Sequence, residues 1–211
     1  YEIGVRLVGS EMCIRDSYSS GKMGFALAEA CAERGAEVTL VAGPVSLKTH
    51  HPAIKRIDVE SAGEMYQAAI TAFPSSDAAI LCAAVADYRP ENASEQKIKR
   101  ETEGEMTLHL VPNPDIAASL GAIKREGQVM VGFALETNDE ATHAEGKLKR
   151  KNLDFIVLNS LRDQGAGFRC DTNKITIIDN AGGVTSYPLK TKREVCLLYT
   201  SPSPRDGLLS R

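Results

Sequence analysis

Several short stretches of this chain place small residues, cations and acids where phosphate or nucleotide chemistry needs them. Ser19-Ser20-Gly21-Lys22-Met23-Gly24 opens a helical pattern. Free backbone N–H groups and the helix dipole make such a start an anion site. The hexamer also suits a plain serine cap with tightly packed glycines. Ala83-Ala84-Val85-Ala86-Asp87-Tyr88-Arg89-Pro90 follows an apolar run, at the strand end where open α/β sheets bind ligands. Small side chains there let a ligand approach the backbone, and Asp87 is of the type that accepts from a base or ribose or holds Mg²⁺ through water. An ordinary strand end with an Asp turn is the alternative, although three alanines and an acid in five residues pack poorly.

Three further stretches are ambiguous on their own. Lys97-Ile98-Lys99-Arg100 is either a solvated charge run or a flap carrying cations over a polyphosphate. Asn113-Pro114-Asp115-Ile116 starts a helix, with Asn113 as the expected cap and Pro114 at its first position; simple capping or an oxygen-binding turn both fit. In Gly132-Phe133-Ala134-Leu135-Glu136-Thr137, Phe133 suits either a base stack or the core. Lys147, Lys149, Arg150 and Lys151 close a helix, where cations complement the dipole and would equally serve a triphosphate.

Other chemistries are poorly served. The first hexamer lacks the Gly-Lys-Ser/Thr ending of a phosphate-binding P-loop, and no GxGxxG is present. The strand ending at Gly43-Pro44 lacks the acid that would hold an NAD ribose. His50-His51 has no metal-ligand spacing, and Cys82 in an apolar run reads as core rather than nucleophile. A net charge of −3 without interleaved aromatics argues against nucleic acid, and no apolar run approaches the roughly 20 residues needed to span a bilayer. Apolar residues at 43% and charged residues at 25% fit a globular domain rather than a disordered chain. Five scattered cysteines form no disulfide framework, so a reducing cytoplasm is expected.

The elements that must position these residues follow from periodicity. Helices are expected over Lys22–Arg34, closed by Gly35; over Ser61–Phe73, opened by a Ser61/Glu64 capping box; over Pro114–Lys124; and over Asp139–Lys151. Strands are expected over Ala36–Ala42, Ala78–Val85, Met106–Val111, Val129–Ala134 and Phe155–Leu158, with a hairpin of Lys174–Asp179 and Gly183–Leu189. Arg89–Glu105 reads as a mobile loop, and Thr191–Val195 opens a final segment. The alternation predicts a three-layer, doubly wound, Rossmann-like α/β domain with a mainly parallel sheet. An opening helix with no strand before it suggests that a first strand and its loop are missing.

The two ends read differently. Back-translation of Val8–Ser17 gives an oligonucleotide whose opposite strand encodes Cys196–Pro204. Residues 1–17 and 196–211 are therefore expected to derive from a sequencing adaptor, with the native domain at 18–195. Each flank carries nearly balanced charge, so the net value does not move.

Taken in order, Ser-Ser-Gly-Lys-Met-Gly, Ala-Ala-Val-Ala-Asp-Tyr-Arg, Lys-Ile-Lys, Asn-Pro-Asp-Ile, Gly-Phe-Ala-x-Glu-Thr and Lys-x-Lys-x-Lys-Asn-Leu-Asp resemble bacterial phosphopantothenoylcysteine synthetases. These form the ligase half of a bifunctional coenzyme A biosynthesis flavoprotein. The resemblance implies joining of phosphopantothenate to cysteine with CTP and Mg²⁺, through an acyl-cytidylate, releasing pyrophosphate and CMP. It implies that Asp87, Lys97, Pro114, Asp115, Ile116, Ala117, Phe133, Lys147 and Lys151 bind CTP, and that Ala83 and Lys97 assist cytidylate formation. Ser19, Ser20, Gly21, Lys22, Met23 and Gly24 would line the acyl-phosphate side. It further implies a homodimer through the hairpin and a fused flavin-dependent decarboxylase half. The family pattern has an Asn where Ser17 stands, so the chain as it stands is expected to be impaired. An NAD(P)-dependent oxidoreductase and a non-catalytic nucleotide-binding module remain as alternatives.

Overall fold

The computed structural model describes residues 21–92, 107–136, 140–160 and 172–200. Its elements run α1 (Lys22–Ala32), β1 (Val38–Ala42), β2 (Ile54–Asp58), α2 (Ala62–Ala72), β3 (Ala78–Leu81), β4 (Tyr88–Pro90), β5 (Leu110–Pro112), α3 (Ile116–Ile123), β6 (Val129–Glu136), α4 (Glu140–Arg150), β7 (Phe155–Ser160), β8 (Thr172–Asp179), β9 (Val184–Thr191) and α5 (Lys192–Thr200).

Five strands form one sheet in the order β3-β6-β7-β8-β9. β3, β6 and β7 run parallel, with Leu81 beside Gly132 and Phe133 beside Val157. The hairpin β8–β9 then joins antiparallel to β7. Helices cover both faces. On one face α2, α3 and α4 bury Met65, Phe73, Ile116, Leu120, Ala144 and Leu148 against Met130, Ile156 and Leu158. On the other, α1 and α5 bury Leu27, Ala30 and Val195 against Val131, Phe155, Val157 and Ile175. The expected three-layer, doubly wound α/β arrangement is therefore the one observed. Coverage on both faces explains why β6 and β7 are continuous apolar runs rather than alternating ones.

β1 and β2 pair parallel in a separate two-stranded sheet. A cavity of about 2060 Å³ is lined by all of β1 and β3 and by the inner sides of α1 and α2. Among the described residues no strand bridges β1 and β3, so β3 is only half-buried along its length. The expectation of a strand before α1 concerns residues outside the described set.

Local signals hold at the helix ends. Ser61 Oγ accepts from Glu64 N–H at 3.1 Å, and the Glu64 carboxylate accepts from Glu60 N–H at 2.8 Å. Gly35 takes a left-handed φ of 89° just past α1, where a Cβ would be strained. Four expectations need correction. β2 was not expected, because Ile54-Lys55-Arg56-Ile57-Asp58 is too charged to read as a strand without its partner β1. β3 stops at Leu81, four residues short of the expected Val85, because the backbone beyond it bonds outside the sheet. Tyr88–Pro90 is a strand, not loop, and the strand expected over Met106–Val111 is limited to Leu110–Pro112; the two pair antiparallel, with a proline in each short strand. α3 is capped by Asp115 rather than Asn113.

Candidate functional site

The cluster forms at the carboxyl ends of β3 and β6, from groups far apart in sequence. Gly132 pairs with Leu81, so Phe133 lies one step beyond the end of β3. Phe133 is half-buried and packs in part on the α1/α5 face. Past Leu81 the chain leaves the sheet through Cys82–Ala86 and reaches Asp87. There it is tied to the approach of α3: Asn113 N–H donates to the Asp87 carbonyl at 2.8 Å, and Asn113 Nδ2 donates to the Ala86 carbonyl at 2.9 Å. Arg89 closes the tie, donating from one guanidinium nitrogen to the Pro112 carbonyl at 2.8 Å and to Asn113 Oδ1 at 3.2 Å.

Asn113 therefore does not cap α3, because its side chain is spent on the strand end. Asp115 holds an extended backbone and accepts from Ala118 N–H at 3.0 Å instead. Lys151, just past α4, reaches back to Asp115 Oδ2 at 3.0 Å. Partial burial by itself raises the Asp115 carboxyl, but the Ala118 N–H and then Lys151 outweigh it and hold the group below its ordinary value. Lys147 lies one turn before Lys151, whose N–H donates to the Lys147 carbonyl at 3.0 Å.

The seating of Lys151 depends on a close crossing. Gly121 on α3 is buried, and a Cβ there would lie 2.8 Å from the Lys151 carbonyl carbon and 3.1 Å from Asn152 Cβ. Asn152 adopts a left-handed φ of 50° and its Nδ2 donates to the Gly121 carbonyl at 2.9 Å. Next to it, the Asp154 carboxylate accepts from Met130 N–H and from Lys124 Nζ, both at 2.6 Å. The Lys-Asn-Leu-Asp stretch thus fastens α4 to α3 and β6. No local signal marks these roles for Arg89, Asn113, Gly121 and Asp154, although all but Gly121 stand within the stretches singled out above.

The start of α1 approaches the same sheet edge from the other face. A Cβ on Gly24 would lie 3.2 Å from Cys82 Sγ, immediately before Ala83. Burial pushes the Cys82 thiol up to about 11, so it is no ready nucleophile at neutral pH. Gly24 thereby stands beside the chain leaving β3, whereas a Cβ on Gly21 would meet Val45 at 3.2 Å and Leu47 at 3.6 Å. Ser19, Ser20 and Lys97 lie outside the described residues. No group of three or more metal-ligating side chains occurs among the described residues. His51 Nδ1 accepts from Ala53 N–H at 3.2 Å, a local turn bond. No helix among the described residues is long and apolar enough to cross a membrane.

Comparison with known proteins places this geometry. Residues 14–198 match the DNA/pantothenate metabolism flavoprotein C-terminal domain. A relative named Cysteine/Cysteine sulfinic acid decarboxylase, from an unknown prokaryotic organism, is 58% identical over 85% of this chain and 50% of its own length. The Coenzyme A biosynthesis bifunctional protein CoaBC of Escherichia coli K12 is 48% identical over 83% of this chain and 43% of that protein. The chain thus spans about half the length of the curated relatives it matches. The crystal structure of the C-terminal domain of a CoaBC protein aligns with TM-score 0.69 at 39% identity, covering 88% of this chain and 82% of that one. A Cab2 mutant in complex with phosphopantothenate-cysteine shares the fold, with TM-score 0.69 at 15% identity over 93% of this chain and 82% of its own. The chain belongs to the family of DNA/pantothenate metabolism flavoprotein C-terminal domains.

Proposed function

We propose that this chain is a phosphopantothenate–cysteine ligase domain that uses CTP. The observation carrying the proposal is the joining of Ala86–Asp87 to the Asn113–Ala117 turn, with Lys151 held across it. The wider support is family membership and the naming of its CoaBC relatives for coenzyme A biosynthesis. On this reading CTP lies over Ala83, Asp87, Pro114 to Ala117 and Phe133. Lys147 and Lys151 face its phosphates, and Lys97 completes the cation set.

The residue types fit the groups they would hold. Two lysines one turn apart suit a polyanion, and a single acid, Asp87, suits Mg²⁺, which keeps most of its shell as water and substrate phosphate. When bound, Mg²⁺ supplies charge neutralisation at the triphosphate. The chemistry needs no enzyme nucleophile. The phosphopantothenate carboxylate attacks the α-phosphorus and pyrophosphate leaves. The cysteine amine then attacks the acyl carbon, and CMP leaves with the bonding electrons. The protein's share is positioning and electrostatics. Ser19 to Gly24 would bind the acyl-phosphate end.

The outer strand β9 exposes Val184 and Leu189 and has no partner on its far edge among the described residues. An edge of this kind suits pairing with a second copy, so the hairpin is the proposed homodimer contact. The relatives' greater length supports a fused partner domain, proposed to be the flavin-dependent decarboxylase half; the scattered cysteines are the reason for proposing a cytoplasmic setting.

Titration with CTP, ATP and NADPH, each with Mg²⁺, tests the reading. CTP binding is expected, with an acyl-cytidylate detected by mass spectrometry when phosphopantothenate is added without cysteine to a version carrying the family's first strand and Asn at position 17. Binding of NADPH but not CTP would point to an oxidoreductase, and CTP binding without any cytidylate to a non-catalytic module. Either result overturns the ligase reading.

A further inference from the structure

We propose that Asn113 is a positioning residue that sets the separation between Asp87 and the first turn of α3. The inference rests on the nucleotide reading of this site and assigns a role to a residue outside the contact set. Asn113 uses three groups at once. Its N–H donates to the Asp87 carbonyl at 2.8 Å, its Nδ2 to the Ala86 carbonyl at 2.9 Å, and its Oδ1 accepts from Arg89 at 3.2 Å. No sheet ladder holds Cys82–Ala86, because β3 has already ended at Leu81. The Asn113 side chain therefore extends the hold of its own N–H and of the β4–β5 pair back to Ala86, in the irregular backbone.

The residue type matters. An amide offers a donor to a carbonyl and an acceptor to a guanidinium from two separate atoms of one short side chain. Aspartate would set a carboxylate against the Ala86 carbonyl, and alanine would leave both that carbonyl and Arg89 without this partner. Pro114 follows, so Asn113 is also biased toward the extended backbone that carries the chain from β5 to α3. Arg89 is the second half of the device, since its guanidinium also holds the Pro112 carbonyl at 2.8 Å. Without the side-chain part of the tie, Asp87 is held to the approach of α3 by the Asn113 N–H and the β4–β5 pair alone, and a nucleotide touching both must supply more of the ordering itself.

The test is calorimetric binding to the purified chain, with Mg·CTP and phosphopantothenate as separate probes. Asn113→Ala is expected to weaken CTP about tenfold, the scale of one or two lost hydrogen bonds, and to leave phosphopantothenate affinity within twofold. Arg89→Ala is expected to weaken CTP less. The double variant should lose less than the sum of the two single variants, because they share the Arg89–Asn113 Oδ1 contact. Unchanged CTP affinity in Asn113→Ala overturns the proposal, and so does equal weakening of both probes, the mark of general destabilisation. If Asn113→Ala fails to fold, Arg89→Ala carries the same comparison. Failure of the unsubstituted chain to bind CTP instead overturns the nucleotide reading itself.

Discussion

Substituting Gly121 by alanine separates helix propensity from tertiary packing. The added Cβ lies 2.8 Å from the Lys151 carbonyl carbon and 3.1 Å from Asn152 Cβ, and it meets the Lys151 carbonyl oxygen directly. Carbon contacts are favourable near 3.5–4.0 Å, so α3 and the end of α4 must separate by roughly 1 Å. Overpacking of this kind costs about 1–3 kcal/mol. Weakening the Asn152–Gly121 bond, 2.9 Å long, adds about 1 kcal/mol. The alanine returns about 1 kcal/mol of helix propensity. The net expectation is a loss of about 1–3 kcal/mol. Gly146 on α4 has nothing within 4 Å of its added Cβ, so Gly146→Ala gains up to about 1 kcal/mol from propensity alone. Urea denaturation of both variants, with circular dichroism as the probe, measures the contrast. Opposite signs are expected, with a spread of about 1–4 kcal/mol. Gly121→Ala as stable as the parent would refute the close-crossing argument.

Asp154→Ala should cost about 2–4 kcal/mol in the same assay, because it strands the buried Met130 N–H and leaves the largely buried Lys124 with only the Asn152 carbonyl; a loss below about 1 kcal/mol would sink this account of the knot. Asp115 has a carboxyl held below its ordinary value of 3.8. Its contribution to stability is therefore complete above pH 3.8 and lost as pH falls through the lower folded value. The stability difference between the parent and Asp115→Asn should accordingly shrink on acidification through that window; a gap that widens instead contradicts the assignment. Cys82 is half-buried, with its thiol pushed up to about 11, and should alkylate with iodoacetamide at pH 7.5 more slowly than after unfolding in urea; equal rates would contradict the raised thiol.

Much of the fold was legible in the residues. Ser61 with Glu64, Gly35 after an amphipathic run and the apolar stretches of β3, β6 and β7 act through local chemistry or a strong burial pattern, so they need no distant partner to be recognised. β2 and the β4–β5 pair could not be found this way: they are short, charged or proline-bearing, and only a strand elsewhere in the chain makes them strands. Asn113 shows the same limit at the site. Its position before Pro114 is that of a helix cap, and both roles use the same amide. Tertiary structure decided between them by bringing the Ala86 carbonyl and Arg89 within reach, leaving the cap to Asp115.

What the sequence determined by itself was the set of chemical groups: a run of motifs whose types and order suit a nucleotide and a phosphate-bearing acid. What only the tertiary structure decided was their arrangement. The approach of Lys151 to Asp115, the crossing at Gly121 and the tie from Asn113 to the end of β3 all join positions separated by 26 residues or more. No local preference encodes such distances. They follow from helices packed on both faces of one sheet, which brings the carboxyl ends of its strands and the flanking helix termini together.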